Sequence, residues 1–414
     1  MRRRVVVTGM GAVTPVGNTV AATWDALVAG RSGIAPITKF DASSFPVRIA
    51  AEVKGFDPTG HMDRKDVKRS DIYTQYAVVA ASMAMADAGL SDTSSLDPDR
   101  IGVIVGSGIG GLKSFEEQHD VYRERGPSKI SPFFIPMFIA DIAAGIVSMQ
   151  FGAKGPNYAT VSACATSAHA IGDAFRTIQY GDADVMITGG AEATVTPMAI
   201  GGFANMKALS ERNDDPATAS RPFDSTRDGF VMGEGAGIVI LEELEHAKAR
   251  GARIYAEVVG YGATGDAYHL TAPAPEGEGA QRAMKRALKD AGITPADVQY
   301  INAHGTSTPA GDLNETRAIE AVFGEHARTV NVSSTKSATG HMLGAGGAVE
   351  FIVSSLVVGK NVIPPTINYQ HPDPELTLNY TPNVAVERDV TTAISNSFGF
   401  GGHNVTLAVR RYAA

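Results

Sequence analysis

The chain predicts a duplicated α/β fold, two copies of one unit arranged around a pair of central helices. The first observation is a long-range likeness. MADAGLSDTSSLDPDRIGVIVGSG (85–108) runs from an alanine-rich helix ending at a glycine, through an Asp-rich loop, into a strand closing in glycine. LKDAGITPADVQYINAHG (288–305) repeats that order, with the same DAG helix end, half a chain later. The second observation is a pair of helices with small-residue faces, each followed by a turn and an extended run. One starts at Cys164 and continues through AHAIGDAFRTIQYGDADVMITGG; the other lies in GHMLGAGGAVEFIVSSLVVGKNVIPPT (340–366). Small residues let neighbouring backbones approach closely, so these two helices belong together between sheets. Third, 44 % hydrophobic and 19 % charged residues over 414 positions are ordinary for a globular enzyme with a large core.

In chain order, MRRRVVVTGMG passes from three arginines into a Val-rich strand and a glycine turn. Its apolar part is too short for a signal peptide. HMDRKDVKRSD (61–71) crowds Arg64, Lys65, Lys68 and Arg69 together, either as a solvated helix face or as an anion-docking patch. IGVIVGSGIGG (101–111) satisfies G-x-G-x-x-G at Gly106, Gly108 and Gly111. The polar stretch after it does not supply the acidic strand end of a dinucleotide site, so a tight backbone turn is the expectation. FFIPMFIADIAAGIVSM (133–149) carries Pro136 and Asp141 and is too short to span a bilayer, so no membrane segment is expected. After the charged helical run ELEHAKARG (243–251) a second unit opens, which divides the chain into halves 1–255 and 256–414. TAPAPEGEG (271–279) reads as a loop inside the second half. ISNSFGFGGHNVTLAV (394–409) reads as a hairpin whose glycine turn holds Phe398 and Phe400.

A net charge of −8 argues against general attraction to nucleic acid. One cysteine rules out an internal disulfide and any zinc site needing two thiolates, and fits the cytoplasm.

That cysteine, in VSACATSAHAIG (161–172), is either a small buried hydrophobe or a nucleophile. It stands where a helix begins, so the helix dipole and free N–H groups are expected to lower its pKa. NAHGTSTPAGD (302–312) places His304 at the end of a strand of the second half. SSTKSATGHMLGAGGAVE (333–350) places Lys336 and His341 at the mouth of the second small-faced helix. Strand ends are where α/β proteins collect ligand-binding groups. On the duplication, Cys164 and His341 both open central helices and His304 closes a neighbouring strand. Two histidines converging on one cysteine make a nucleophile with two imidazoles or a three-ligand metal site; no H-E-x-x-H spacing supports the metal. The Phe398–Phe400 turn is either a hairpin with buried aromatics or a backbone N–H donor with a movable aromatic beside the nucleophile.

Taken together, ACATSAHAIG, NAHGTSTPAGD, SSTKSATGHMLGAGGAVE and NSFGFGGHN resemble the β-ketoacyl-acyl-carrier-protein synthases, condensing enzymes of the thiolase-like superfamily. The likeness runs from VVVTGMGAVTPVGN to the last strand. GSGIGGL, RPFDSTRDGFVMGEGAG and GDAYHLTAP are most similar to the branch serving dissociated bacterial fatty-acid synthesis. The resemblance implies a five-layered αβαβα fold, two mixed sheets around paired central helices, in a cytoplasmic homodimer. It implies that Cys164 accepts an acyl group from the phosphopantetheine of acyl carrier protein, the N–H groups of Cys164 and Phe400 forming the oxyanion hole. His304 and His341 would stabilise the enolate left when malonyl carrier protein loses CO₂. Lys336, tied to Glu350, would orient and charge the histidine pair. Thr306 and Thr308 would bind the pantetheine arm. Ile109, Phe134, Ala163 and Phe203 would line the acyl tunnel, with Phe400 its gate and Phe398 beside it. Lys65, Lys68, Arg69, Lys129 and Lys207 would dock the acidic carrier. No tightly bound cofactor and no metal are implied, since phosphopantetheine arrives on the carrier.

CATS stands where many relatives have CTSG or CSTS, which leaves chain-length preference open. A polyketide ketosynthase would use the same residues with another acyl pocket. A thiolase draws on a second cysteine that this chain lacks, and a non-catalytic chain-length partner typically lacks the nucleophile that this chain has.

Overall fold

The computed structural model describes residues 2–413. Its main sheet takes β1 (Val5–Val13), β2 (Ile101–Gly106), β3 (Asn157–Tyr158), β4 (Val185–Glu192) and β5 (Gly235–Glu243) from the first part of the chain. The second part adds β6 (Ala256–Gly265), β7 (Tyr300–Asn302), β8 (Asn331–Ser333), β9 (Thr392–Gly399) and β10 (His403–Arg410). Every residue of β1, β2 and β4 is buried, as unbroken Val/Ile/Gly runs require of strands covered on both faces.

The two arrays have one order. The first reads β3-β2-β4-β5-β1 and the second β8-β7-β9-β10-β6. Directions match as well. β2 lies parallel to β3 and β4, while β5 is antiparallel to β4 and β1. Likewise β7 lies parallel to β8 and β9, while β10 is antiparallel to β9 and β6. The arrays meet where β1 and β6 pair from Val5 with Val258 to Val7 with Ala256, so the two mixed sheets form one continuous ladder.

Helices α1 (Ile72–Asp87), α2 (Leu112–Arg125), α3 (Ile142–Phe151), α4 (Thr166–Tyr180), α5 (Pro197–Asn205), α6 (Glu278–Ala291), α7 (Pro309–Phe323) and α8 (Gly346–Lys360) supply the layers. α1 and α3 cover the first array, α6 and α7 the second, and α4 with α8 lie between, each touching both. The DAG helix ends are alike in structure: Gly89 and Gly292 stop α1 and α6 at φ +70° and +66°, which glycine tolerates best.

Close approach explains the small-residue faces. A Cβ on Gly347 would stand 3.0 Å from the Ala168 Cβ on α4 and 2.8 Å from Ser397 Oγ on β9. Almost all of α8 is buried, with Phe351, Ile352, Val353 and Leu356 in the central core. Each such side chain contributes about 1.5–3 kcal/mol on burial. Leu343–Lys360 is the helical stretch long and apolar enough to cross a bilayer, and 89 % of it is buried inside the protein. The glycines of the G-x-G-x-x-G stretch face protein: a Cβ on Gly106 would lie 2.5 Å from Thr160 O, and one on Gly111 2.0 Å from Met137 O. They serve tight chain packing.

Candidate active site

Cys164 is the middle residue of a 3₁₀ turn, Ala163–Ala165, that leads into α4. Ala163 holds φ +50°, a conformation costly for a side-chain-bearing residue, and this aims the turn toward the hairpin β9–β10. The backbone N–H groups of Phe400 and of Cys164 itself lie close enough to act on the thiol. The thiol does not have the lowered pKa expected from the helix start. Burial pushes it up to about 12, outweighing Lys336 and the two N–H groups, which pull it down. Water exclusion dominates the helix dipole here because the side chain is sealed in an apolar cluster with Val195, Ile200, Phe230 and Leu343.

A cavity of about 440 Å³ opens over Cys164 and is also lined by His304, His341, Thr306, Thr308 and Phe400. The two imidazoles stand edge to face, 5.3 Å between ring centroids at 85°. Both are held neutral: desolvation carries each pKa well below the usual histidine value, and the Lys336 charge adds to it. Both Nδ1 atoms are buried without a hydrogen-bond partner, so contact with a molecule in the cavity falls to Nε2. Phe398 packs 5.6 Å from the His304 ring and Phe230 5.2 Å from the His341 ring.

Lys336 lies behind the imidazoles, 2 % exposed, and its Nζ donates to Glu350 Oε1. Burial raises the Glu350 carboxyl to about 7 against the pull of Lys336. Thr306 and Thr308 meet Oγ1 to Oγ1 at 3.0 Å on the cavity wall. The turn at Phe400 is tied to the 265–273 loop: Gly401 N donates to Leu270 O at 2.7 Å, and Asn404 Nδ2 to Asp266 Oδ1 at 2.6 Å.

Of the four expected tunnel residues, Phe203 lines the cavity and packs 6.3 Å from Phe400, and Ile109 packs on the apolar cluster that holds Cys164. Ala163 precedes Cys164. Phe134 packs with Phe115 and Phe138, in a 127–141 segment that lies against α2. One correction concerns symmetry. The counterpart of the Cys164 turn is Leu343–Ala345, before α8, so Gly344 rather than His341 matches Cys164. His341 stands upstream of that turn, its N–H bonded to Val231 O at 2.7 Å.

Two carboxylates escaped the sequence reading. Glu315 on α7 accepts from His304 N at 2.9 Å, Gly305 N at 2.7 Å and Asn396 Nδ2 at 3.2 Å, fixing the histidine loop. Glu192, ending β4, accepts from four donors of both halves. An acidic residue closing the apolar strand VMITGGAE was the available signal.

Lys65, Lys68, Arg69, Lys129 and Lys207 are all exposed. The Arg69 guanidinium lies 4.5 Å over the Phe133 ring, joining the 64–69 segment to the loop carrying Lys129. Lys207 stands at the cavity rim. Among the described residues no three His, Cys, Asp or Glu side chains gather as metal ligands.

Comparison with known proteins gives one answer along the chain. Residues 2–247 match the model of the beta-ketoacyl synthase N-terminal domain, and residues 255–370 that of the C-terminal domain. The chain is 56 % identical over 411 residues to 3-oxoacyl-[acyl-carrier-protein] synthase 2 of Synechocystis sp., covering 99 % of each protein. It is 57 % identical over 412 residues to the protein of that name from Staphylococcus aureus, covering 100 % of this chain and 99 % of the other. Among solved structures, a beta-ketoacyl synthase from Burkholderia phymatum superposes with a TM-score of 0.93 at 38 % identity over both full chains. A type II polyketide acyl carrier protein in complex with its ketosynthase contains a chain that superposes at 0.92 and 38 % identity, again over both full chains.

Proposed function

From the premise that the chain belongs to the beta-ketoacyl synthase family, we propose that it is a 3-oxoacyl-acyl-carrier-protein synthase of the second type. It condenses an acyl-enzyme thioester with malonyl carrier protein, releasing CO₂ and lengthening a fatty acid by two carbons. The observation that carries this reading is Cys164 sharing one cavity with two neutral imidazoles that stand before a buried lysine.

In the first half-reaction Cys164 Sγ attacks the acyl carbonyl, the carbonyl-to-pantetheine C–S bond breaks, and the thiol proton leaves with the pantetheine sulfur. The Cys164 and Phe400 N–H groups hold the oxyanion. A thiol pushed up to about 12 stays protonated between turnovers, so the proton moves only as the thioester closes off the site. In the second, the bond from malonyl carbon to its carboxylate breaks, CO₂ departs, and the electron pair forms a thioester enolate. Nε2–H of His304 and of His341 stabilise its oxygen. The carbanion then attacks the acyl carbonyl and Sγ leaves as a thiolate, which takes up one proton from solvent as the product departs and so restores the thiol. Neutral imidazoles suit this role, since an imidazolium would surrender its proton to the enolate instead of sharing it. Burial keeps both rings neutral, and the Lys336 charge adds to it.

Thr306 and Thr308 hold the pantetheine arm, and the acyl chain runs past Phe400 toward Phe203 and Ile109. The reactive thioester arrives on the carrier, so the protein needs no tightly bound cofactor. An acidic carrier docks on Lys65, Lys68, Arg69, Lys129 and Lys207, which supply local positive charge on a chain of net −8. The halves 1–255 and 256–414 are copies of one ancestral unit, a reading supported by the shared strand order. The protein works in the cytoplasm as a homodimer. Supporting the dimer, β3 pairs on one side only, with β2, and beside its open edge Tyr158 and Val161 are 42 % and 60 % exposed.

Intact mass of the protein after mixing with acyl and malonyl carrier proteins tests the reading. Wild type gains an acyl mass and makes 3-oxoacyl carrier protein; Cys164→Ala does neither. A wild type with no adduct and no product overturns it.

A further inference from the structure

The two central helices are introduced by matching turns, and the difference between those turns points to a residue outside the set described above. α4 and α8 are both fifteen residues long, each led in by a three-residue 3₁₀ turn. Each turn opens on a side-chain-bearing residue in left-handed conformation, Ala163 at φ +50° and Leu343 at +43°. The middle residues are Cys164 and Gly344, and the turns pack on each other. At the first turn the Cys164 N–H faces its own sulfur and the cavity. At the second, the equivalent N–H of Gly344 donates to Glu192 Oε2 at 3.0 Å. A Cβ on Gly344 would meet that same oxygen at 2.7 Å and Gly108 N at 2.4 Å. A carboxylate thus fills the place where a second nucleophile would project.

Glu192 does more than fill it. Its Oε2 also accepts from Gly108 N at 2.9 Å, and its Oε1 from Ser107 Oγ at 2.9 Å and Ile109 N at 3.2 Å. Ser107 Oγ in turn accepts from Gly110 N at 3.0 Å. One buried side chain therefore sets the backbone of the 107–110 loop against the Leu343–Ala345 turn. Ile109 and Leu343 on these segments pack in the apolar cluster around Cys164. Fully buried and without a cationic partner among its four hydrogen bonds, the carboxyl is raised to about 7 by burial, against the pull of those donors. Such a group is retained where its geometry has a use.

We propose that Glu192 is a positioning residue that sets acyl-chain selection, holding Ile109 and Leu343 at the spacing the chain must pass. The proposal rests on the condensation reading above. It separates the two half-reactions, because Glu192 touches the acyl side of the site and neither imidazole. In Glu192→Gln, whichever oxygen becomes an amide nitrogen, two donors lose their acceptor and face another donor.

Single-turnover acylation of Cys164 by butanoyl and by tetradecanoyl carrier protein, followed by intact mass, reads the effect. CO₂ release from malonyl carrier protein by butanoyl-primed enzyme is measured beside it. In Glu192→Gln the ratio of long-chain to short-chain acylation rates falls about tenfold, while CO₂ release holds at the wild-type rate. A wild-type ratio, or an equal loss in acylation and CO₂ release, overturns the proposal. If Glu192→Gln does not accumulate as folded protein, Ser107→Ala carries the test. It removes one donor and keeps the charge, and shifts the ratio the same way by about threefold; an unchanged ratio overturns the role. Wild type that takes no acyl group on Cys164 overturns the condensation reading, and this role with it.

Discussion

On the proposed reaction, the first half of the molecule supplies one reactive atom and the second half a set of charged and imidazole side chains. Around α4 it is Cys164 Sγ, with its own N–H and that of Phe400 reaching over from the second half, in otherwise apolar surroundings. Around α8 it is Lys336, Glu350, His304 and His341, with Glu315 bracing the histidine loop. Yet the strand order, helix lengths and lead-in turns of the halves agree. The same scaffold position can hold a nucleophile or a sealed carboxylate, so the fold supplies placement and the side chains supply reactivity.

The largest effect belongs to the buried pair of the second half. Lys336→Met leaves Glu350 uncompensated in the core and costs about 3–5 kcal/mol of stability. The double variant Lys336→Met with Glu350→Leu recovers most of that loss and none of the condensation rate. Chemical denaturation paired with turnover checks both. Recovered activity in the double variant would break the contrast, since the charge would then serve the fold rather than the histidines.

Next come the imidazoles. His304→Ala and His341→Ala each lower the condensation rate about 10²–10³-fold, the usual effect of removing one donor to a developing oxyanion. Acylation of Cys164 in single turnover stays near wild type in both, because the first half-reaction relies on the N–H groups of Cys164 and Phe400 and on neither imidazole. Loss of acylation in either variant would show that the halves do not divide the work this way.

Much of this division was legible beforehand. DAG helix ends and small-faced helices announced the duplication, because helix stops and close backbone approach demand specific residues. Cys164, His304, His341 and Lys336 stood out for the same reason, being chemically costly residues in glycine-rich strand ends. Glu192 and Glu315 did not, because an acidic residue in sequence does not say which donors it will meet: Glu192 gathers those of the 107–109 loop and of Gly344, and Glu315 those of His304, Gly305 and Asn396, only once the fold is assembled. Nothing in FFIPMF says that Phe134 packs with Phe115 of α2, because that contact is set by the assembled fold. The thiol pKa was misjudged for a physical reason: a helix start is visible in sequence, whereas the desolvation that overrides it is a property of the assembled core.

A smaller effect tests the exposed face. Lys68→Glu with Arg69→Glu raises KM for carrier-bound substrates about tenfold and leaves kcat near wild type, with the difference shrinking as salt is added. A thioester delivered on a short pantetheine mimic, with no carrier, shows no such change. A shift seen equally with the mimic would move the docking face elsewhere.

The smallest effect lies on the flank of α4, where the first half does carry a titratable group. His169 is held down to about 4 by burial first and by His403 second, and its Nδ1 lies 2.7 Å from Ser162 Oγ. A histidine depressed in the fold contributes stability above its ordinary value near 6.5, and that stability is lost as pH falls from there toward about 4. Thermal unfolding should therefore drop through this window in wild type and less steeply in His169→Gln. His304 and His341, also depressed, add to the slope in the same direction and are unchanged in that variant. Identical pH slopes in wild type and His169→Gln would mean that His169 carries none of the acid sensitivity, and that the imidazoles of the second half outweigh the one beside α4 in stability as they do in the proposed chemistry.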